Sequence, residues 1–412
     1  MPMKSILLST SAVILSANVS FAADAVVVEP EPVDYVRVCD AYGSGFFFIP
    51  GTETCIRFGG YVRSGYEKFS VDGTVGGSLT DNVAADDPNF SLWGQRGRLN
   101  IDTRNETDWG TLRSVYRLEG GQSNVDTNID LDVAIISLAG FRAGFAGANY
   151  WSTNHGFGGV NGEDLATNAG GIIYEQGFYG FDDATILDYT FASDGLSITI
   201  GVEDPRISFG GEGILNDTNN GGIDDGANFY AGLNYSGDFG TFAATAVHDT
   251  LAFELDGAGN EANSGGWAYK VSLELDLSEI LPGGKISGYY LYDGDYNTDY
   301  VTTYRLSENP ESIYGIGFQT DLTEEFEFWV NYWEAEGGQA VDGAGVQFTE
   351  GDTTQAGVGL NWFPAAAPGF HIKTSYIIGE VENSGSVLFS GADVPRADFD
   401  FDFFSVALRR DF

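Results

Sequence analysis

Residues 267–276 read Trp-Ala-Tyr-Lys-Val-Ser-Leu-Glu-Leu-Asp. Trp267, Tyr269, Val271, Leu273 and Leu275 alternate with Ala268, Lys270, Ser272, Glu274 and Asp276. Successive side chains of a strand point to opposite faces, so one face of this segment is apolar and the other mostly polar. In a soluble sandwich the apolar face would be the core. In a membrane-spanning barrel it faces lipid, and the polar face lines water. The segment alone does not choose between the two, but the spacing of the others like it does.

Strand-like segments of this kind recur near 56–69, 90–104, 110–120, 129–138, 141–148, 185–192, 196–203, 227–235, 239–248, 266–276, 285–292, 312–320, 325–333, 354–362, 369–379 and 399–412. Their connections alternate in length. The short ones are 105–109, 139–140, 193–195, 236–238, 277–284, 321–324 and 363–368. The long ones are 70–89, 121–128, 149–184, 204–226, 249–265, 293–311, 334–353 and 380–398. A sandwich has no reason to put every long loop at one end, whereas a membrane barrel has short periplasmic turns, long extracellular loops and an even strand number. A sheet in lipid must also close, because unpaired backbone edges are too costly there. The expectation is an all-β chain forming a 16-stranded antiparallel transmembrane β-barrel.

Composition agrees. The 412 residues include 57 glycines, 14% aromatics and only two methionines, which suits strands and turns better than helices. Asp and Glu number 60 against 19 Lys and Arg, for a formal charge of −41, which sets nucleic acid aside as a partner. Aromatic and β-branched residues are too abundant for a disordered acidic chain. Lys4, the mainly apolar run 6–19 and Ser20-Phe21-Ala22 form an export leader over 1–22, with cleavage expected after Ala22. No later apolar run reaches the ~18 residues of a membrane helix. Cys39 and Cys55 lie in the exported part, where a disulfide is the economical expectation. It would fix a periplasmic N-terminal segment over 23–55, ahead of the barrel at 56–412. His155, His248 and His371 are scattered and no CxxC spacing exists, so no metal, cofactor or catalytic residue is expected.

The run Tyr35-Val36-Arg37-Val38-Cys39-Asp40-Ala41-Tyr42-Gly43, then Phe48-Ile49-Pro50-Gly51-Thr52-Glu53-Thr54-Cys55, then Gly60-Tyr61-Val62-Arg63, resembles the start of the trimeric porins of alphaproteobacteria. The last strand agrees: Phe404, Val406, Leu408 and Phe412 share a face, and Arg410 is placed near the rim where it can reach water. The resemblance implies a homotrimeric, water-filled channel for passive diffusion of small polar solutes and ions. It also implies an outer-membrane setting of lipid and lipopolysaccharide, with Phe412 presented to the barrel-assembly machinery. It further implies a third extracellular loop, here 149–184, folded inward to narrow the pore, with acidic residues on the loop facing basic residues on the wall.

The basic wall follows from parity. Eight of the fourteen arginines fall between 57 and 142. Arg57 and Arg63 lie opposite Phe58, Val62 and Tyr66; Arg96, Arg98 and Arg104 lie opposite Trp93, Leu99 and Ile101; Arg113 and Arg117 lie opposite Leu112, Tyr116 and Leu118. An arginine turned to lipid at mid-depth costs ~2–4 kcal/mol, so all are expected inward. Arg63, Arg96, Arg98, Arg113 and Arg117 sit near mid-strand and are expected to form one basic patch at a constriction. Glu163 and Asp164 supply the acidic side, and Glu119 or Asp102 the compensation. A substrate-selective channel for sugars or a defined ion is the alternative, with Tyr61 and Trp333 as possible sugar platforms. A barrel enzyme or an adhesin is a remoter one. The topology is testable: an epitope inserted at Gly257 should be reached by antibody on intact cells and one at Ala366 should not, and surface exposure of Ala366 would invert the assignment.

Overall fold

The structure, a computed structural model, describes residues 37–73, 90–122, 127–146, 184–204, 228–249, 253–255, 261–263, 266–293, 309–339, 351–383, 386–389, 392–395 and 399–412. The expected leader 1–22, most of the segment 23–55 that precedes Cys39, and residues 147–183 with Glu163 and Asp164 lie outside the described residues.

Sixteen long strands form the barrel: β1 (Cys55–Gly73), β2 (Phe90–Thr107), β3 (Gly110–Gln122), β4 (Thr127–Leu138), β5 (Phe141–Ala146), β6 (Ala184–Ser193), β7 (Leu196–Asp204), β8 (Asn228–Gly237), β9 (Gly240–Asp249), β10 (Gly266–Asp276), β11 (Lys285–Asp293), β12 (Asn309–Asp321), β13 (Phe326–Gln339), β14 (Gly351–Trp362), β15 (Phe370–Asn383) and β16 (Phe399–Asp411). Each pairs antiparallel with its sequence neighbours, and β16 pairs with β1, which closes the sheet. The ladder runs to the last residue: the Gly60 amide donates to Phe412 O at 3.1 Å, and the Phe412 amide donates to Gly60 O at 3.0 Å.

Burial is inverted relative to a soluble protein. On β10 Trp267 is 46% exposed and Val271 43%, while Lys270 is 1% and Ser272 2%. Polar side chains are packed inside and large apolar ones stand outside, as lipid on the outer face demands. On the last strand Phe404, Leu408 and Phe412 likewise stand outside, while Ser405 is buried together with Phe401 and Phe403 on the inner face. Arg410, also on the outer face, donates from Nη1 to Pro368 O at 2.6 Å in the turn beneath it.

The turns explain their sequences. Ala139-Gly140 and Asp194-Gly195 all have positive φ, from 47° to 88°, the geometry of two-residue hairpins whose twist matches the strands. At Gly195 a Cβ would lie 2.3 Å from Ser236 O, so glycine is needed for space as well as for φ.

At the other end the strands run further than side-chain alternation predicts. The connection expected over 121–128 shrinks to 123–126, because Gly120, Gly121 and Gln122 continue the ladder against Ile129, Asn128 and Thr127. Glycines carry no alternation signal but pair normally. That connection is therefore in the length range of the turns at the opposite end. Two expected loops contain short hairpins of their own, Phe253–Leu255 with Glu261–Asn263 and Ser386–Phe389 with Ala392–Pro395.

At the turn end, Cys39 and Cys55 form a disulfide with their Cα atoms 6.0 Å apart. It joins Phe46, Tyr42 and Phe48 in a small apolar cluster, and Phe47–Phe48 pairs with the start of β1. Farther round, Glu325 clasps two turns together. Its carboxylate accepts from the Ala365 amide at 2.9 Å and from Trp362 Nε1 at 3.1 Å, and its carbonyl accepts from the Phe363 amide at 2.8 Å.

The Ala365 amide, and after it the Trp362 indole, hold the Glu325 carboxyl below its ordinary pKa. A depressed carboxyl stabilises the fold fully above its unfolded pKa, about 4.3, and the contribution is lost as pH falls through the folded value. Glu325→Ala should therefore melt below the wild type at pH 7, with the gap closing as the wild-type carboxyl protonates. A gap undiminished at pH 3 would refute the clasp.

Candidate functional site in the pore wall

Parity sends the arginines of β1–β3 inward, and register decides which of them meet. Arg63 lies opposite Arg96 on β2 and opposite Arg409 on β16; Tyr61 lies opposite Arg98, and Arg98 opposite Glu119 on β3. The β3–β4 pairing slips by one residue between Arg117 and Leu118, leaving Asp132 as the extra residue of a bulge. Bulges re-aim side chains, and here Asp132 reaches both Arg117 and Arg98.

The result is a compact charged wall. Glu119 accepts from Arg96 at 2.9 Å and from Arg98 through a charge-assisted hydrogen bond. Asp132 lies 3.1 Å from Arg117 and 3.7 Å from Arg98, and Arg117 Nε donates to Asn100 Oδ1 at 2.9 Å. Tyr61 is buried among guanidiniums: Arg409 stands 4.0 Å over its ring, Arg98 5.2 Å and Arg63 5.8 Å. Its hydroxyl donates to Glu119 at 3.3 Å. Each cation–π contact is worth about 0.5–2 kcal/mol, the larger values when water is excluded. With the charge-assisted hydrogen bonds, they fix long side chains that would otherwise sweep the lumen. Arg409 in turn is held by Asp411 at 2.8 Å.

Of the five arginines expected together, Arg63, Arg96, Arg98 and Arg117 belong to this wall, and Arg113 does not. Arg113 lies opposite Arg104 near the turn end and binds Asp102 with Nε at 3.0 Å and Nη2 at 3.1 Å. Arg104 takes the same carboxylate at 3.1 and 2.8 Å, and Arg57 approaches it at 3.5 Å. Antiparallel pairing explains the split: β3 runs away from the turn, so Arg113, close to its start, stays low while Arg117 climbs. Arg57 and Arg63 are six residues apart on β1, about 20 Å along the strand at ~3.3 Å per residue. That exceeds the ~8 Å screening length at physiological salt, so the two groups act separately.

Three features escape a reading of alternation. Arg409 comes from the far end of the chain and joins only because the barrel closes. Arg142 meets Asp188 and, through it, Tyr230: Arg142 Nε donates to the Asp188 carboxylate at 3.1 Å, and the Tyr230 hydroxyl donates to the same carboxylate at 2.6 Å. Strand spacing would have revealed that group only with the β6 and β8 registers known. The inner wall is also not uniformly polar. Val247, Ala268, Leu291, Ile313, Trp333 and Ala335 form a buried apolar cluster there. Trp333 is 1% exposed and Tyr61 5%, so neither offers an open ring face for a sugar to stack on.

Comparison with known proteins bears on the family and the fold. Residues 24–376 match the family model described as the porin subfamily. The chain is similar to porin Omp2a of Brucella ovis, with 32% identity over 303 residues, 68% of this chain and 76% of the relative. It is likewise similar to porin Omp2b of Brucella suis biovar 1 (strain 1330), with 32% identity over 68% of this chain and 71% of the relative. In fold it resembles the outer membrane channel DcaP of Acinetobacter baumannii, with a TM-score of 0.58, 12% identity, and 89% of this chain and 99% of that one covered.

Glu119 is the hub of the upper wall, so its charge is the most informative to remove. Glu119→Gln removes the charge that Arg96 and Arg98 share and leaves Asp132 to Arg98 and Arg117. Reversal potentials in a salt gradient should then shift toward anions. An unchanged potential would mean that the wall does not face the ion path.

Proposed function

The chain belongs to the porin subfamily, and from that premise we propose how its channel sorts solutes. It is an outer-membrane porin for passive diffusion of small hydrophilic solutes and ions, a channel rather than an enzyme by family. The selective element is a constriction. On its basic side stand Arg63, Arg96, Arg98 and Arg117, joined by Arg409; on its acidic side stand Glu163 and Asp164, carried inward by the loop 149–184. The observation that carries this reading is the sharing of Glu119 and Asp132 among several guanidiniums on one wall. Guanidiniums that share carboxylates leave positive potential toward the water, and an acidic row across the aperture is its complement. Facing rows of opposite sign set up a transverse field, which orders polar solutes and disfavours apolar ones.

The surroundings follow the same reading. The leader 1–22 is removed on export, and residues 23–55 lie in the periplasm with the turns. The barrel assembles as a homotrimer among outer-membrane lipid and lipopolysaccharide, and Phe412 is the residue it presents to the barrel-assembly machinery. Without the leader's Lys4 the chain has 18 basic against 60 acidic residues, a formal charge of −42, much of it in the long loops, so the mouth concentrates cations while the arginine wall opposes them at the waist. Mouth charges are screened over ~8 Å. The net effect is modest cation preference that fades as salt rises.

Replacing Arg96 and Arg98 together with serine tests this in planar bilayers. The double variant should conduct more and prefer cations more strongly, the direction opposite to that of Glu119→Gln. If its conductance and selectivity equal the wild type's, the arginines do not line the narrow part of the pore.

A further inference from the structure

Near the turn end of the lumen, three guanidiniums converge on one hidden carboxylate. Asp102 is 5% exposed, and it accepts two hydrogen bonds each from Arg104 and Arg113 while Arg57 lies 3.5 Å away. The side chains of Arg57 and Arg113 remain 45% and 42% exposed. Negative charge is thus hidden while positive charge is presented. Three other side chains, Glu106, Thr111 and Tyr42, lie beside the group. Glu106 is the second carboxylate, and it accepts from Thr111 at 3.2 Å and from Tyr42 at 3.5 Å. Asn105 is turned away to Thr54 at 2.9 Å. Three positive charges therefore meet two negative ones, and the two are already occupied.

The disulfide-bonded segment holds this group in place. Phe46 packs against the Cys39–Cys55 bridge, and the guanidiniums of Arg57 and Arg104 stand 4.8 and 4.9 Å over its ring. Arg104 also lies 5.7 Å over Tyr42. Aromatic faces and Asp102 together fix the forks before any solute arrives. Preorganised donors of this kind bind at lower entropic cost. Planar guanidinium forks match the oxygen pairs of phosphate, sulfate and carboxylate. Arg104 and Arg113 engage Asp102 through Nε and Nη2, so their Nη1 donors are not used on it.

We propose that Arg57, Arg104 and Arg113 form an oxyanion-binding station at the turn-end mouth of the pore, separate from the constriction and taking small phosphate-class anions in transit. The station deepens the channel reading given above and rests on it. Asp102 tunes it: the carboxylate keeps the forks aligned and weakens them enough that the anion leaves again, as conduction requires.

Single channels in potassium chloride, with inorganic phosphate added to the turn-end side, provide the test. Phosphate should reduce or flicker the current at a concentration where an equal increment of chloride does not. Arg57→Gln with Arg113→Gln should raise the half-effective concentration by roughly tenfold, on the scale of one lost charge-assisted contact. Asp102→Asn should lower it, because the competing negative charge is gone while the Phe46 and Tyr42 rings still hold Arg57 and Arg104. The opposite signs keep the outcome readable if one variant fails to fold. Normal potassium chloride conductance with no phosphate effect in the wild type overturns the station and leaves the porin intact. A phosphate effect unchanged in both variants also overturns it. Absence of any conductance would instead count against the channel reading itself.

Discussion

Lipid offers a peptide N–H or C=O no partner except another peptide group. That constraint requires every strand to be paired on both sides, and the chain meets it by joining β16 to β1 down to the bonds between Phe412 and Gly60. Closure then imposes the rest. Each strand acquires one face toward lipid and one toward the lumen, so Trp267 and Val271 stand outside while Lys270 and Ser272 turn in. Arginines that would cost kilocalories in lipid are driven to the inner wall. Their crowding there follows from the constraint as much as from any need of the solute.

Once inside, the arginines are organised by register. Glu119 and Asp132 each serve more than one guanidinium, and Asp102 serves three. Sharing one carboxylate among several cations holds them rigid and still leaves positive potential toward the water. Tyr61 does similar work without charge, since its ring faces accept Arg98 and Arg409 where another carboxylate would have neutralised them. The wall is thus stiff and basic together, two properties that exposed arginines on a flexible surface do not combine.

The strand count, the closed topology, the disulfide and the inward turn of the arginines were legible in the sequence, because each follows from alternation, spacing or exclusion from lipid. What remained hidden depends on register. The bulge at Asp132 lies in Leu131-Asp132-Val133-Ala134-Ile135-Ile136, where apolar residues on both sides mask the phase slip. Arg113 and Arg117 share a face, but only the β2–β3 pairing shows that one meets Arg104 and the other Asn100. Arg409 is separated from Arg63 by almost the whole chain. The apolar cluster around Leu291 and Ile313 breaks the expectation of a polar lumen, because alternation reports which face a residue takes and not what covers that face. The acidic residues Glu163 and Asp164 fall outside the described residues.

Joining β1 to β16 also sets an order of events. Every second pair of neighbouring strands meets across a short turn, and a short loop closes at small entropic cost. The seam pairs residues 61–73 with residues 399–411, the most distant contact the barrel has. Contacts of such separation form late and slowly. Until the final residues arrive, β1 presents an open edge, and an open edge is a template for the wrong partner. A chain that has made fifteen strands is therefore an adhesive sheet in need of protection, and the thirteen residues of β16 turn that sheet into a pore in one step.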